Sequence, residues 1–134
     1  MSIKILIITH GDLGGTLKDV AADIIGPDED VMVYGIQRSQ CISDIKNGME
    51  NLISSMVKEN EVLVFTDMFG GTPSNISVPF MDNEKVEIVT GVNLPMLVTA
   101  CSLKKRMQGV RELAEKISDE GIKSIIDCRT RMKR

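Results

Sequence analysis

Short runs of β-branched and apolar residues alternate along this chain with longer segments whose apolar residues recur at three- and four-residue spacing. Ile3 to Thr9 is such a run, too short for a stable helix and ending at His10-Gly11, and it reads as a strand buried on both faces. Leu13, Leu17, Val20, Ala21, Ile24 and Ile25 follow at helical spacing until Gly26-Pro27 stops the pattern. A second strand falls near Val31 to Ile36, and Ile42, Ile45, Met49, Leu52, Ile53 and Met56 form a second helix behind Ser39 as N-cap. Glu61 to Asp67 is a third buried strand, Thr72-Pro73 opens the next helix with threonine as N-cap, and Val86 to Thr90 is a fourth strand. Further helices begin at Asn93 and Val110, and Ile122 to Cys128 reads as a last short strand. This order predicts an α/β fold, a mostly parallel sheet of four strands with helices on both faces. With 134 residues, 43% of them hydrophobic, and no repeats or linkers, one domain over residues 1–134 is expected.

In sheets of this kind ligands bind at the carboxyl edge of the strands, where the strand order reverses. Three polar, glycine-bearing loops fall there: Thr9-His10-Gly11-Asp12, Asp67-Met68-Phe69-Gly70-Gly71-Thr72 and Gly91-Val92-Asn93. The net charge of −3 gives no reason to expect a nucleic-acid partner. Apolar stretches such as Ile5 to Ile8 fall far short of the roughly 20 residues of a membrane helix, and the N-terminus enters a strand without a secretory signal, so a cytoplasmic protein is expected. Cys41, Cys101 and Cys128 are widely spaced with no C-x-x-C, and read as reduced, mostly buried thiols; no metal and no cofactor is expected.

His10 is the only histidine. Imidazole accepts and releases a phosphoryl group near neutral pH while its second nitrogen is held by a neighbour. If the first and third strands are adjacent, Asp67 ends level with His10, and its carboxylate would accept the N–H of one ring nitrogen and leave the other to attack. Gly70 and Gly71 let the backbone approach an anion, and Thr72 adds a hydroxyl at a helix start. Taken singly, each residue has a plainer reading: a turn histidine, a loop-capping aspartate, a glycine turn, an ordinary helix start.

The three segments Ile7-Ile8-Thr9-His10-Gly11, Thr66-Asp67-Met68-Phe69-Gly70-Gly71-Thr72-Pro73-Ser74-Asn75 and Gly91-Val92-Asn93-Leu94-Pro95-Met96-Leu97 resemble, in order and spacing, the signature loops of mannose-family IIA domains of the sugar phosphotransferase system. The resemblance spans nearly the whole chain. It implies a phosphocarrier phosphorylated on His10, with Asp67 hydrogen-bonded to the histidine and Gly71-Thr72 holding the phosphate. It implies HPr as phosphoryl donor, a IIB domain as acceptor, membrane IIC and IID components as indirect partners, and a homodimer completed by exchange of the C-terminal strand. No fused IIB domain follows, so the chain is expected to act as a separate polypeptide.

Asp12 stands where some members carry an aromatic residue, and Met68-Phe69 where a tryptophan can stand. These three are candidate partner-docking positions. Met68 and Phe69 form either an exposed apolar collar around the transfer site or packing beneath the loop. The basic residues Lys104, Lys105, Arg106, Arg129, Arg131, Lys133 and Arg134 read as solvated surface with no assigned role.

Other classes share parts of this pattern. A receiver-type domain would be phosphorylated on Asp67 with Mg²⁺, but its acidic pair and its lysine have no counterparts here. A histidine phosphatase needs an arginine where Thr9 stands. The phosphocarrier subunit of a dihydroxyacetone kinase system is related in fold and histidine but has a different second loop. A regulatory phosphohistidine module would use the same chemistry.

Overall fold

The structure is a computed structural model that describes residues 1–133. Four parallel strands, β1 (Ser2–His10), β2 (Val31–Ile36), β3 (Asn60–Thr66) and β4 (Val86–Thr90), lie in the order β2-β1-β3-β4. The helices are α1 (Leu13–Ile25), α2 (Ile42–Met56), α3 (Thr72–Ser77), α4 (Leu94–Leu103), α5 (Val110–Lys123) and α6 (Cys128–Met132), with 3₁₀ turns at Val78–Asp82 and Lys104–Arg106.

Alternation along the central strands sends side chains to two cores. Ile3, Ile5, Ile7, Leu63, Phe65 and Val89 pack under α1, α4 and α5, meeting Ala21, Leu97, Ala100, Leu113 and Ile117. Leu6, Ile8, Ile36, Val62, Val64 and Val86 meet Ile45, Met49, Ile53 and Met56 of α2 on the other face. Both faces of β1 and β3 are therefore dry, which is why their sequences read as unbroken apolar runs.

The chain leaves β1 for β2 on one side and reaches β3 on the other, so the order reverses at the carboxyl end of β1. The register pairs His10 with Ile36 and Ile8 with Thr66, so β1 and β3 are neighbours as the site required. His10 ends β1, and Asp67 follows β3 directly.

Several expectations need correction. Ile122 and Lys123 close α5, and residues 124–127 form no strand within the chain before α6. The apolar stripe Val110, Leu113, Ala114 and Ile117 runs on at helical spacing to Gly121, where a Cβ would stand 2.7 Å from Met96 Sδ, so a glycine carries α5 past α4 instead of ending it. Cys41, not Ser39, is the N-cap of α2, and Gly71, not Thr72, is that of α3. Cys41 and Cys128 are exposed and only Cys101 is half-buried. Lys104 is buried at 5% exposure and paired with Asp28 and Asp30. Arg134 lies outside the described residues.

Candidate functional site

The buried end of β1 prepares the site. Thr9 is fully buried, and its Oγ1 accepts the N–H of Gly14 at 2.9 Å, capping the first turn of α1 from within the core. This fixes the Thr9–Gly14 bend and turns His10 outward, its side chain half exposed at 51%. Gly11 takes a left-handed φ of 55°, and its N–H donates to Ile36 O at 2.8 Å.

Asp67 meets His10 from β3. Its Oδ2 lies 2.8 Å from His10 Nδ1 and accepts the His10 backbone N–H at 2.9 Å, and Oδ1 accepts the N–H of Met68 at 3.0 Å. Burial pushes the Asp67 carboxyl up, but the hydrogen bonds from the His10 backbone and ring, with the N–H of Met68, outweigh it and hold the group below its ordinary 3.8. The carboxylate therefore stays ionised at neutral pH. An ionised carboxylate only accepts, so Nδ1 carries the proton and the lone pair resides on Nε2.

The loop after Asp67 closes over the ring. A Cβ at Gly71 would stand 3.1 Å from His10 Cε1 and 3.3 Å from Met68 Cγ, so the backbone of Gly71 lies against the imidazole edge between its nitrogens. Gly70 supplies a left-handed φ of 85°. Asn75 ties the loop down, its Nδ2 donating to Gly70 O at 3.2 Å and its backbone N–H to Gly71 O at 2.9 Å. The Gly71 N–H points at Met68 O, 3.4 Å away. Thr72 is half-buried beside it, as first residue of α3.

Of the candidate docking residues, Met68 and Phe69 are exposed at 57% and 79% and are not packed beneath the loop. Asp12 is exposed, with Oδ1 3.4 Å from Gln37 Nε2. Among the described residues, no three His, Cys, Asp or Glu side chains cluster to hold a metal, and no helix is long and apolar enough to cross a membrane.

Sequence reasoning missed a fourth loop, Gln37 to Cys41 after β2. It borders His10 because β2 pairs with β1 up to His10 itself. An open cavity of about 500 Å³ lies there, lined by His10, Gly11, Ile36, Gln37 and Arg38. The available signal was topological: the strand on the far side of β1 must deliver its following loop to the same edge.

The chain as a whole is similar to known proteins. The chain is 28% identical over 106 residues to the "PTS system fructose-specific EIIA component" of Bacillus subtilis, a match covering 78% of this chain and 73% of that protein. It is 27% identical over 129 residues to the "PTS system mannose-specific EIIAB component" of Escherichia coli K12, with 93% of this chain covered but only 40% of the longer relative. The crystal structure of the phosphotransferase system component EIIA from Streptococcus agalactiae superposes with a TM-score of 0.86 at 26% identity, covering 96% of this chain and 98% of that one. With residues 4–118 matching the model of the EIIA-man family, described as the PTS system fructose IIA component, the chain belongs to that family of phosphotransferase-system IIA proteins.

Proposed function

We propose that this chain is a phosphocarrier that takes a phosphoryl group from phosphorylated HPr onto Nε2 of His10 and passes it to a IIB acceptor during sugar uptake. The observation that carries the reading is the bond between His10 Nδ1 and Asp67 Oδ2 at 2.8 Å, which engages one ring nitrogen and leaves the opposite one to take the phosphoryl group. In the transfer, the P–N bond of the donor phosphohistidine breaks as the Nε2 lone pair forms a new P–N bond, and the donor imidazole leaves with its electron pair. The proton on Nδ1 stays in place, so the phosphorylated ring is cationic and Asp67 balances it. Gly70, Gly71 and Thr72 are proposed to receive the phosphoryl oxygens, with the Thr72 hydroxyl and backbone dipoles as donors. The exposed Met68-Phe69 collar, with Asp12, is the proposed docking rim for HPr and IIB.

The carrier is proposed to work in the cytoplasm, between HPr and the membrane IIC and IID components, as one domain over residues 1–134. A homodimer is proposed as well, supported by the open edge of β4 and by Ile122, Ile125 and Ile126, which are 72%, 78% and 46% exposed. A receiver-type switch on Asp67 is disfavoured because both oxygens of that carboxylate are engaged by His10 and Met68.

Incubation with enzyme I, HPr and phosphoenolpyruvate is expected to add one phosphoryl group, stable in base and labile in acid, and His10→Ala is expected to abolish it. Phosphate retained by His10→Ala would end this reading.

A further inference from the structure

The turn after β2 is braced. The Gln40 N–H donates to Gln37 O at 3.2 Å, and the Gln37 N–H donates to Gln40 Oε1 at 2.8 Å, so the turn is closed by two bonds with Arg38 and Ser39 at its tip. It is also joined to the loop of His10. Gln37 Nε2 reaches Asp12 Oδ1 at 3.4 Å, and the backbones approach so closely that a Cβ at Gly35 would stand 2.5 Å from Gly11 O. The tip therefore holds a fixed position relative to His10.

Arg38 is exposed and lines the same open cavity as His10. It has no ion pair or side-chain hydrogen bond among the described residues. It is also the only lysine or arginine in the loops of this edge, residues 9–12, 37–41, 67–72 and 91–93. A phosphoryl group brings about −1.5 to −2 charges near neutral pH, beside a ring whose other nitrogen already faces the Asp67 carboxylate, with Asp12 a further acidic neighbour across Gln37. The proposed cradle at Gly70 to Thr72 offers only neutral dipoles. A guanidinium presents paired donors that match phosphate oxygens, and here all of them are uncommitted.

We propose that Arg38 is the cationic clamp of the phosphorylated state, bonding the phosphoryl oxygens on His10 from the β2 side of the site. The proposal rests on the phosphohistidine reading above. Because the turn is fixed before phosphorylation, the clamp costs little reorganisation beyond the arginine side chain itself.

Potassium phosphoramidate is a test donor that removes partner docking from the measurement: its P–N bond breaks, ammonia leaves, and the new P–N bond forms at His10. The ³¹P NMR signal of the phosphorylated protein is then followed against pH for the wild type, Arg38→Gln and Arg38→Lys. Loss of the clamp is expected to raise the midpoint of the phosphoryl titration by about one unit, a tenfold change in proton affinity, and Arg38→Lys is expected to recover part of it. Thermal unfolding of unphosphorylated Arg38→Gln is expected to match the wild type. A phosphohistidine signal with the same midpoint in wild type and Arg38→Gln would overturn the clamp and leave the phosphocarrier reading standing. A wild type that takes no phosphoryl group on His10 would remove both.

Discussion

Asp67 holds His10 twice with one oxygen, Oδ2 standing 2.8 Å from ring Nδ1 and 2.9 Å from the backbone nitrogen of the same residue. Its second oxygen takes the N–H of Met68 at 3.0 Å. All three contacts need acceptors, and an amide has only one acceptor atom. In Asp67→Asn the amide oxygen either serves His10 while the NH₂ opposes the Met68 N–H, or serves Met68 while the NH₂ faces Nδ1 and favours the wrong tautomer. We expect a folded protein whose phosphoryl transfer from phosphorylated HPr is slowed roughly a hundredfold to a thousandfold, about 2 to 4 kcal/mol in the barrier. Stopped-flow transfer at the wild-type rate, with the melting curve intact, would remove the orienting role.

Gly70 and Gly71 are adjacent but answer to different constraints, and substitution separates them. Gly71 has φ −78°, which alanine accepts, but its new Cβ would press on His10 Cε1 at 3.1 Å. Gly71→Ala is expected to keep the wild-type melting temperature and slow transfer about tenfold as the ring shifts from its contact with Asp67. A Cβ at Gly70 meets nothing within 4 Å, but φ is 85°. Gly70→Ala is expected to cost about 1 to 2 kcal/mol of stability. Equal effects of the two on transfer, or a large loss of stability in Gly71→Ala, would contradict this division.

What was legible in the sequence was whatever depends on neighbours along the chain. The runs at Ile3 to Thr9 and Val62 to Phe65 announced buried parallel strands, and Asn93 announced its helix, capping it by accepting the Met96 N–H at 2.9 Å. The meeting of His10 with Asp67, 57 residues apart, was inferable because two parallel strands in register must end side by side. The bounds of the C-terminal strand were misplaced because Ile122, Ile125 and Ile126 look like a β run, while the packing that carries α5 on to Lys123 lies at Met96 on another helix. Lys104 was misread for the same kind of reason. Within Lys104-Lys105-Arg106 nothing distinguishes the first lysine, and only the fold brings Asp28, 76 residues away, to meet it.

The three thiols are expected to react in two classes. Cys41 and Cys128 are exposed at helix starts. Burial, with the nearby Asp28 charge, pushes the half-buried Cys101 thiol up to about 11. At pH 7 its thiolate fraction is then on the order of 10⁻⁴. A thiol reagent is expected to modify Cys41 and Cys128 quickly in the native protein and Cys101 only after addition of denaturant. Rapid reaction at Cys101 in the native state, located by peptide mass spectrometry, would contradict this.

The last prediction concerns the ion cluster at the opposite edge of the sheet. Lys104 Nζ pairs with Asp28 and lies 3.5 Å from Asp30, which also pairs with Lys4, and the Lys104 side chain is only 4% exposed. For Asp28, burial raises the carboxyl but bonds and charge from Lys104 and the Asp30 N–H win. For Asp30, the Lys4 bond is the leading cause, and both carboxyls end below their ordinary 3.8. Lys104 is pulled down by burial and pushed further up by Asp28 and Asp30, ending above its ordinary 10.5. A depressed carboxyl contributes stability that is complete above 3.8 and is lost as pH falls through its folded value. The raised lysine contributes stability that is complete below 10.5 and is lost as pH rises through its folded value. The cluster therefore stabilises the whole neutral range. Lys104→Met keeps the length of the side chain but leaves two carboxylates facing each other without their shared cation, and is expected to cost about 3 kcal/mol at pH 7. As pH drops below 3.8 and the carboxyls take up protons, the difference from wild type is expected to shrink. Urea unfolding of both proteins at pH 7 and pH 3 measures it, and an unchanged difference between the two pH values would show that Lys104 acts through packing alone.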